Sequence, residues 1–218
     1  KYINNVRMPL VYSRYNIANN NWEVKNQLLP GYDTGLYKTG AGDEYSIDAK
    51  DSIVAILIAP RLNKVTLWKS TDWGKTFTKT IIDSLIIATP KYVGDTVWFY
   101  YSDGSCNVVI GNDGYAQCFW SLYKGFKYYG NNLIFYNISD HGIIYYNEKN
   151  GSKKIIPTAK VWDRNSNDTL DVENGWKYTR TVNGTSYPYT GYGGTNDLLT
   201  FPHATVDLSG NIFVIYSA

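Results

Sequence analysis

The sequence predicts an all-β fold, on three observations. No segment sustains a 3.6-residue apolar period; short β-branched and aromatic runs alternate with turn signals instead. Charged residues are only 18% of the chain and their place is taken largely by tyrosine, 21 of 218 residues, where about 25% charge is ordinary. Gly, Asn and Asp fall between the runs in the combinations that reverse a chain cheaply.

Taken in order, the candidate strands are residues 7–13, 45–48, 53–59, 64–69, 77–82 and 96–101, then 107–110, 117–122, 133–136, 142–146, 153–156, 177–182 and 212–216. Each is rich in Val, Ile, Thr, Tyr, Phe or Trp, and each is bounded by polar residues. The turns between them are Asp72-Trp-Gly74, Asp103-Gly104, Asn112-Asp-Gly114, Gly130-Asn-Asn132, Asn150-Gly151, Asn183-Gly184 and Ser209-Gly-Asn211.

One element recurs: a small polar turn followed by an apolar run. It appears as Lys50-Asp-Ser-Ile-Val-Ala-Ile56, Gly94-Asp-Thr-Val-Trp-Phe-Tyr-Tyr101, Gly130-Asn-Asn-Leu-Ile-Phe-Tyr136 and Ser209-Gly-Asn-Ile-Phe-Val-Ile-Tyr216. The first three are spaced by roughly 35–45 residues, the period of one four-stranded blade of a β-propeller. The expected architecture is therefore an all-β propeller, or part of one. Its four-stranded antiparallel blades fall at about 1–40, 41–90, 91–125, 126–160 and 161–218. A Tyr- and Gly-rich loop is expected over 163–202, where long loops on a rigid scaffold carry binding or mere decoration.

The most specific motif is Ser70-Thr-Asp-Trp-Gly-Lys-Thr-Phe77. A chance match to Ser-x-Asp-x-Gly-x-Thr-aromatic in a chain this long is on the order of 10⁻⁴. Each position suits a tight hairpin. Asp72 can close an Asx-type turn on the N–H groups ahead of it. Gly74 takes positive φ without strain. The hydroxyls of Ser70 and Thr76 can satisfy the remaining backbone groups, and Phe77 packs beneath as the chain re-enters the sheet. The octapeptide resembles the Asp-box, or BNR repeat, of sialidase-like propellers. The resemblance implies that Ser70, Asp72, Gly74, Thr76 and Phe77 are fold residues, in a turn joining the third and fourth strands of a blade. Tyr12-Ser-Arg-Tyr-Asn-Ile-Ala-Asn-Asn-Asn-Trp22 is read as a worn second copy and Asn147-Glu-Lys-Asn-Gly151 as a weaker third. The stretches Asp43–Ile56 and Pro202–Ser217 further resemble secreted BNR-repeat proteins of Bacteroidetes-type bacteria. A mature product or a segment of a longer polypeptide is expected, in contact with further domains in the second case.

Resemblance to sialidases also implies a search for three arginines, an acid/base Asp and a Tyr–Glu pair. Arg7-Met8-Pro9 offers a first clamp arginine, and Arg14, Arg61, Arg164 and Arg180 are left to supply two more. None has the family's context, so no catalytic residue is assigned. Another glycosidase would need facing carboxylates, for which Asp43, Glu44, Asp171 and Glu173 are available; the alternative is that they are solvated turn acids. His141, in the turn Ser139-Asp-His-Gly142, and His203, after Pro202, are isolated. No metal site and no cofactor is expected.

The net charge is +2 with no basic stripe, which argues against nucleic acid as a partner. The longest apolar run, residues 53–60, is too short to span a bilayer. Cys106 and Cys118 flank an expected hairpin and are expected either to staple it as a disulfide, in an oxidising compartment, or to stay as two buried thiols. The function expected from the whole is a non-catalytic extracellular module, secreted or at the cell surface, that binds a glycan or a protein. A sialidase-like hydrolase and a structural surface component are the alternatives. Trp73, Trp162, Trp176, Tyr187, Tyr189 and Tyr192 are the candidate binding aromatics.

Overall fold

The computed structural model describes residues 2–3, 6–7, 10–32, 44–61, 63–84, 89–130, 135–158, 179–182, 185–188 and 200–217. Among them there is no helix. The strands are β1 (Tyr2–Ile3), β2 (Val6–Arg7), β3 (Val11–Asn16), β4 (Asn21–Leu28), β5 (Tyr45–Lys50), β6 (Ile53–Ile58), β7 (Val65–Ser70) and β8 (Thr78–Asp83). They continue with β9 (Thr96–Tyr101), β10 (Cys106–Ile110), β11 (Ala116–Tyr128), β12 (Phe135–Asn147), β13 (Ser152–Thr158), β14 (Thr179–Val182), β15 (Thr185–Pro188), β16 (Thr200–Val206) and β17 (Ile212–Ser217). Every pairing between them is antiparallel.

The strands β5-β6-β7-β8 form a four-stranded meander, and β9 to β13 form a five-stranded sheet. These two sheets sit in the middle of a face-to-face stack that follows chain order. One face of β6 and β7 (Ala55, Leu57, Val65, Leu67) packs on Val108, Ile110, Cys118, Trp120 and Ile144 of the five-stranded sheet. The other face (Ile56, Ile58, Trp68) meets Leu10, Tyr12 and Leu28 of the β3–β4 hairpin. Beyond the five-stranded sheet, Val109, Phe119 and Ile143 pack on Ala204, Val206, Ile212 and Val214 of β16–β17. Central strands are thus buried on both faces, which is why residues 53–60 and 116–120 read as nearly continuous apolar runs rather than as alternation. The indole of Trp68, fully buried, still donates to the carbonyl of Pro30 at 2.8 Å, as a buried N–H must.

The free edge of β10 is buried in this stack, and its N–H groups need partners. Side chains of the neighbouring sheet supply them. Ser46 Oγ accepts from Val108 N at 3.1 Å, and Asp48 Oδ2 accepts from Ile110 N at 2.7 Å. The same device recurs one layer on, where Asn107 Oδ1 accepts from Ala204 N of β16 at 2.9 Å. A third tie joins β7 to the β12–β13 turn: Glu148 Oε2 accepts from Lys69 Nζ and from Ala116 N, both at 2.7 Å.

Two expectations change. The strands expected in separate blades at 91–125 and 126–160 belong to one sheet. The 13-residue β11 pairs with β10 through Ala116–Trp120 and then, along the same edge, with β9 through Tyr123–Tyr128. His141 lies in β12 and not in a turn. The β11–β12 register steps from Tyr123–His141 to Lys124–Asn137, so residues 138–140 bulge while the strand continues, and such a bulge bends the strand that carries it. Gly125 permits the crossing beneath: a Cβ there would stand 2.8 Å from the Tyr101 ring and 3.1 Å from Phe99. The loop expected over 163–202 falls largely outside the described residues, but Thr185–Pro188 within it is a strand paired with β14.

Replacing Asp48 by Ala strands the N–H of Ile110, which is 3% exposed, and is expected to cost about 1–3 kcal/mol in urea unfolding followed by tryptophan fluorescence. Asp48→Asn keeps an acceptor and restores most of the loss. An Asp48→Ala midpoint equal to wild type would show that the edge does not need this clamp.

Candidate functional site

The octapeptide singled out in the sequence joins β7 to β8, the third and fourth strands of the β5–β8 meander. Its chemistry closes on two side chains. Ser70 Oγ accepts from Gly74 N at 2.8 Å and donates to Asp72 Oδ1 at 2.7 Å. Asp72 Oδ1 also accepts from Lys75 N and Thr76 N, at 3.0 and 2.9 Å, and Oδ2 accepts from Thr76 Oγ1 at 2.7 Å. Gly74 has φ +73° and Trp73 has φ +64°. The hydrogen bond from the Thr76 backbone, then those from the Ser70 and Thr76 hydroxyls, hold the Asp72 carboxyl far below the ordinary carboxylate range. Phe77 tucks under the turn against Tyr12, ring centroids 5.3 Å apart. Every polar group of the motif that the sequence singled out is spent on the turn itself.

The other two turns read as worn copies are hairpins with ordinary Asx caps. Asn16 Oδ1 accepts from Asn19 N at 3.0 Å in the β3–β4 turn, and Asn147 Oδ1 accepts from Lys149 N at 2.9 Å in the β12–β13 turn.

Of the two alternatives for Cys106 and Cys118, a disulfide or two thiols, the structure has free thiols. The hairpin register explains this. Cys106 stands opposite Trp120, and Cys118 opposite Val108, so the thiols are diagonal neighbours, about 7–8 Å apart at Cα and beyond the usual disulfide span. Burial pushes both thiols well above the ordinary range, which makes them packing residues rather than nucleophiles.

The two arginines whose side chains are described, Arg14 and Arg61, are each engaged in separate structural contacts. Arg14 pairs with Glu23 at 2.7 Å and donates to the Trp73 carbonyl at 3.2 Å. Arg61 donates to the Asp103 carbonyl and lies 4.0 Å from Glu44. Arg164 lies outside the described residues, as do Asp43, Asp171 and Glu173, while Arg7 and Arg180 are described by backbone alone. Asp103 is buried, and its carboxylate accepts from Ser105 N, Ser105 Oγ and Ser121 Oγ. It ties the β9–β10 connection to β11. His203 is exposed and stands opposite Ile215.

Of the candidate binding aromatics, Trp73 is exposed at the tip of its turn. Tyr187 lies on β15 with only its backbone described; Trp162, Trp176, Tyr189 and Tyr192 lie outside the described residues. A cluster that sequence reasoning missed stands where β11 runs past β10. There β9 and β11 alternate: Phe99, Tyr101 and Tyr123 turn inward, while Trp98, Tyr100 and Tyr128 turn out, at 50, 46 and 45% exposed. Cross-strand pairing sets Trp98 opposite Phe126 and Tyr100 opposite Lys124. The Trp98 and Phe126 rings are 4.7 Å apart, Phe126 and Tyr128 5.2 Å. Lys124 Nζ lies 5.3 Å from the Trp98 ring and 5.7 Å from Tyr100. The result is a sheet face of packed rings with one cation among them. The alternation in Thr96-Val-Trp-Phe-Tyr-Tyr101 carried the signal, but a strand buried on both faces is written with the same residues.

No family model, curated protein or solved structure matches the chain. Among the described residues, no three His, Cys, Asp or Glu side chains group to hold a metal ion, and no helix is long and apolar enough to cross a membrane.

Ser70 is 2% exposed; Ser70→Ala leaves Gly74 N–H without its acceptor and is expected to cost about 1–3 kcal/mol in urea. For Asp72 the sign follows from a depressed folded pKa. Its stabilisation is complete above the unfolded value of 3.8 and is lost as pH falls below it. The stability gap between wild type and Asp72→Asn should therefore be constant above pH 5 and shrink steadily between about pH 4 and pH 2; a gap that holds constant to pH 2 would exclude a turn built on the ionised carboxylate. Two thiols should react with a disulfide reagent after denaturation without reductant, and neither in the folded protein. Failure of the denatured chain to react would show a bridge.

Proposed function

We propose that this chain is a non-catalytic, extracellular binding module of the β-propeller type, and that the face formed by β9 and β11 takes a glycan chain. The observation that carries the binding reading is the row of exposed rings, Trp98, Tyr100 and Tyr128, packed around Phe126 and Lys124. Indole and phenol rings held on a sheet offer large apolar area at low entropic cost. They cover the C–H faces of pyranose rings, while Lys124 donates to hydroxyl or carboxylate oxygens. Supporting the propeller reading, four sheets stack in chain order, the Ser70–Phe77 turn joins third and fourth strands, and the edges β5, β10 and β16 adjoin one another. A central row of blade edges is the layout of that fold. The Tyr-rich, charge-poor composition supports an extracellular setting. The structural use of Arg14 and Arg61 supports binding over sialidase chemistry.

Retention on insoluble neutral and acidic polysaccharides, measured by depletion, tests the reading. The double variant Trp98→Ala, Tyr100→Ala should lose about thirtyfold or more in affinity with an unchanged urea midpoint. Lys124→Met should lose affinity for acidic chains only. Wild-type protein that binds none of the chains, or a double variant that binds as well as wild type, would remove the aromatic face from the function.

A further inference from the structure

A concave surface lies between the β10–β11 turn and the β16–β17 sheet, at the other end of β11 from the exposed rings. It is a cleft of about 330 Å³, at the small end of the range for ligand pockets. Its polar lining comes from one side, Asp113, Gln117, Tyr145 and Asn147, and its apolar wall from the other, Val206 and Ile212. We propose that this cleft is a binding site for a neutral, hydroxyl-rich small molecule, of the class of a single pyranoside.

Charge selects the class. Asp113 is the one charged residue of the lining, and Lys149 Nζ neutralises it from 3.1 Å outside the cleft. The surface as a whole therefore favours neither an anion nor a cation. The hydrogen-bonding groups are mixed, which suits hydroxyls, since each is both donor and acceptor. Asp113 Oδ1 makes one long hydrogen bond, from Tyr115 N at 3.3 Å, and keeps acceptor capacity. Asn147 spends its carbonyl oxygen on Lys149 N and one amide hydrogen on the Tyr145 hydroxyl, and its second amide hydrogen remains for a ligand. Gln117 is the strongest pointer. It is 5% exposed, its Oε1 accepts from Tyr145 OH at 2.6 Å, and its Nε2 reaches Tyr115 O only at 3.4 Å. A buried amide with a donor to spare, lining a cleft, calls for an acceptor in that cleft. Tyr145, held flat by stacking on Phe119 at 5.2 Å, and the wall of Val206 and Ile212 supply the apolar surface that the C–H face of a sugar ring requires.

The cleft is also held open and held together. At Gly111 a Cβ would stand 2.8 Å from Asp113 Oδ1 and 3.4 Å from Gln117 Nε2, so a side chain there would push into the two groups that the ligand needs. Asn112 fixes the mouth. Its Nδ2 donates to the carbonyls of Asp207 and Leu208 at 3.0 and 2.9 Å, and its Oδ1 accepts from Lys50 Nζ at 2.5 Å. One turn residue thereby pins three sheets at the rim.

The test is titration of the ¹⁵N-labelled chain with methyl β-D-glucopyranoside, methyl α-D-mannopyranoside and methyl β-D-galactopyranoside, with glucuronate and glucosamine as charged probes. At least one neutral glycoside is expected to give saturable amide shifts confined to residues 111–117, 145–147 and 206–212, with a Kd on the order of 1 mM. Asp113→Ala and Asn147→Ala, both on exposed or half-exposed turn positions, should each weaken it about tenfold or more while leaving the remaining spectrum in place. Trp98→Ala should bind the glycoside as wild type does, so this site stands or falls apart from the ring-covered face. Absence of shifts with all three neutral glycosides, shifts that both variants leave intact, or tighter binding of a charged probe would overturn the proposal.

Discussion

The buried free edge of β10 is the constraint on which the rest of the structure depends. Its strand sits in the middle of a stack of sheets, so its outward N–H groups meet protein instead of water, and each left unpaired would cost as much as several apolar contacts return. Ser46 and Asp48 answer it from β5, and Asn107 passes the same service on to β16. Because these are side chains reaching across to a backbone, they fix the lateral offset of one sheet on the next, which apolar packing alone leaves free to slide. The apolar faces then interdigitate in one register only: Leu57 and Leu67 against Val108 and Trp120 on one side, Phe119 against Val206 and Val214 on the other.

Much of this was legible. The strands from Tyr45 to Asp83 and the turn at Ser70–Phe77 are local features, written by alternation, β-branched content and turn chemistry, and local features are what a single sequence states. The losses have physical reasons. β4, Asn-Trp-Glu-Val-Lys-Asn-Gln-Leu, buries so little that its polar residues hide the period. β16 contains Pro202, which demotes a run read in isolation; at the edge of a two-stranded sheet, where the register already shifts between Thr200 and His203, a missing N–H is tolerated. The split of β11 and β12 into separate blades followed from the spacing of the recurring turn-and-run element, which starts one copy at Gly130, and the turn expected at Ser139-Asp-His-Gly142 lies inside a strand. Gly125 is there because two aromatic rings lie over it, and the bulge at 138–140 absorbs what would otherwise be a turn.

The candidate sites were less legible than the fold, and for one reason. An aromatic residue in a strand has the same letter whether it faces a core or water. Trp68 and Trp98 both sit in short β-rich runs, yet Trp68 is fully buried and Trp98 is half exposed. What separates them is whether another sheet lies over that face, and this depends on pairings tens of residues away. The cysteines make the same point in reverse: spacing brought them into one hairpin, but the register, set by the turn at Gly111–Gly114, placed them two residues out of opposition.

The length of β11 links fold to function. Over Ala116–Trp120 the strand is enclosed by its neighbours and is buried throughout. Past Ser121 it outruns β10, and β9 takes over the vacated edge. The extension has to hold itself up, and it does so with an aromatic core of its own, Phe99, Tyr101 and Tyr123, on one face. With that face buried, alternation sends Trp98, Tyr100 and Tyr128 to the other, where among the described residues no further sheet covers them. Exposed rings are costly to keep in solution unless something is gained by them. The extension is three-stranded, with β9 on one edge of β11 and Phe135–Asn137 of β12 on the other, and its anchorage in the clamped stack is the physical basis of the proposal that the rings bind.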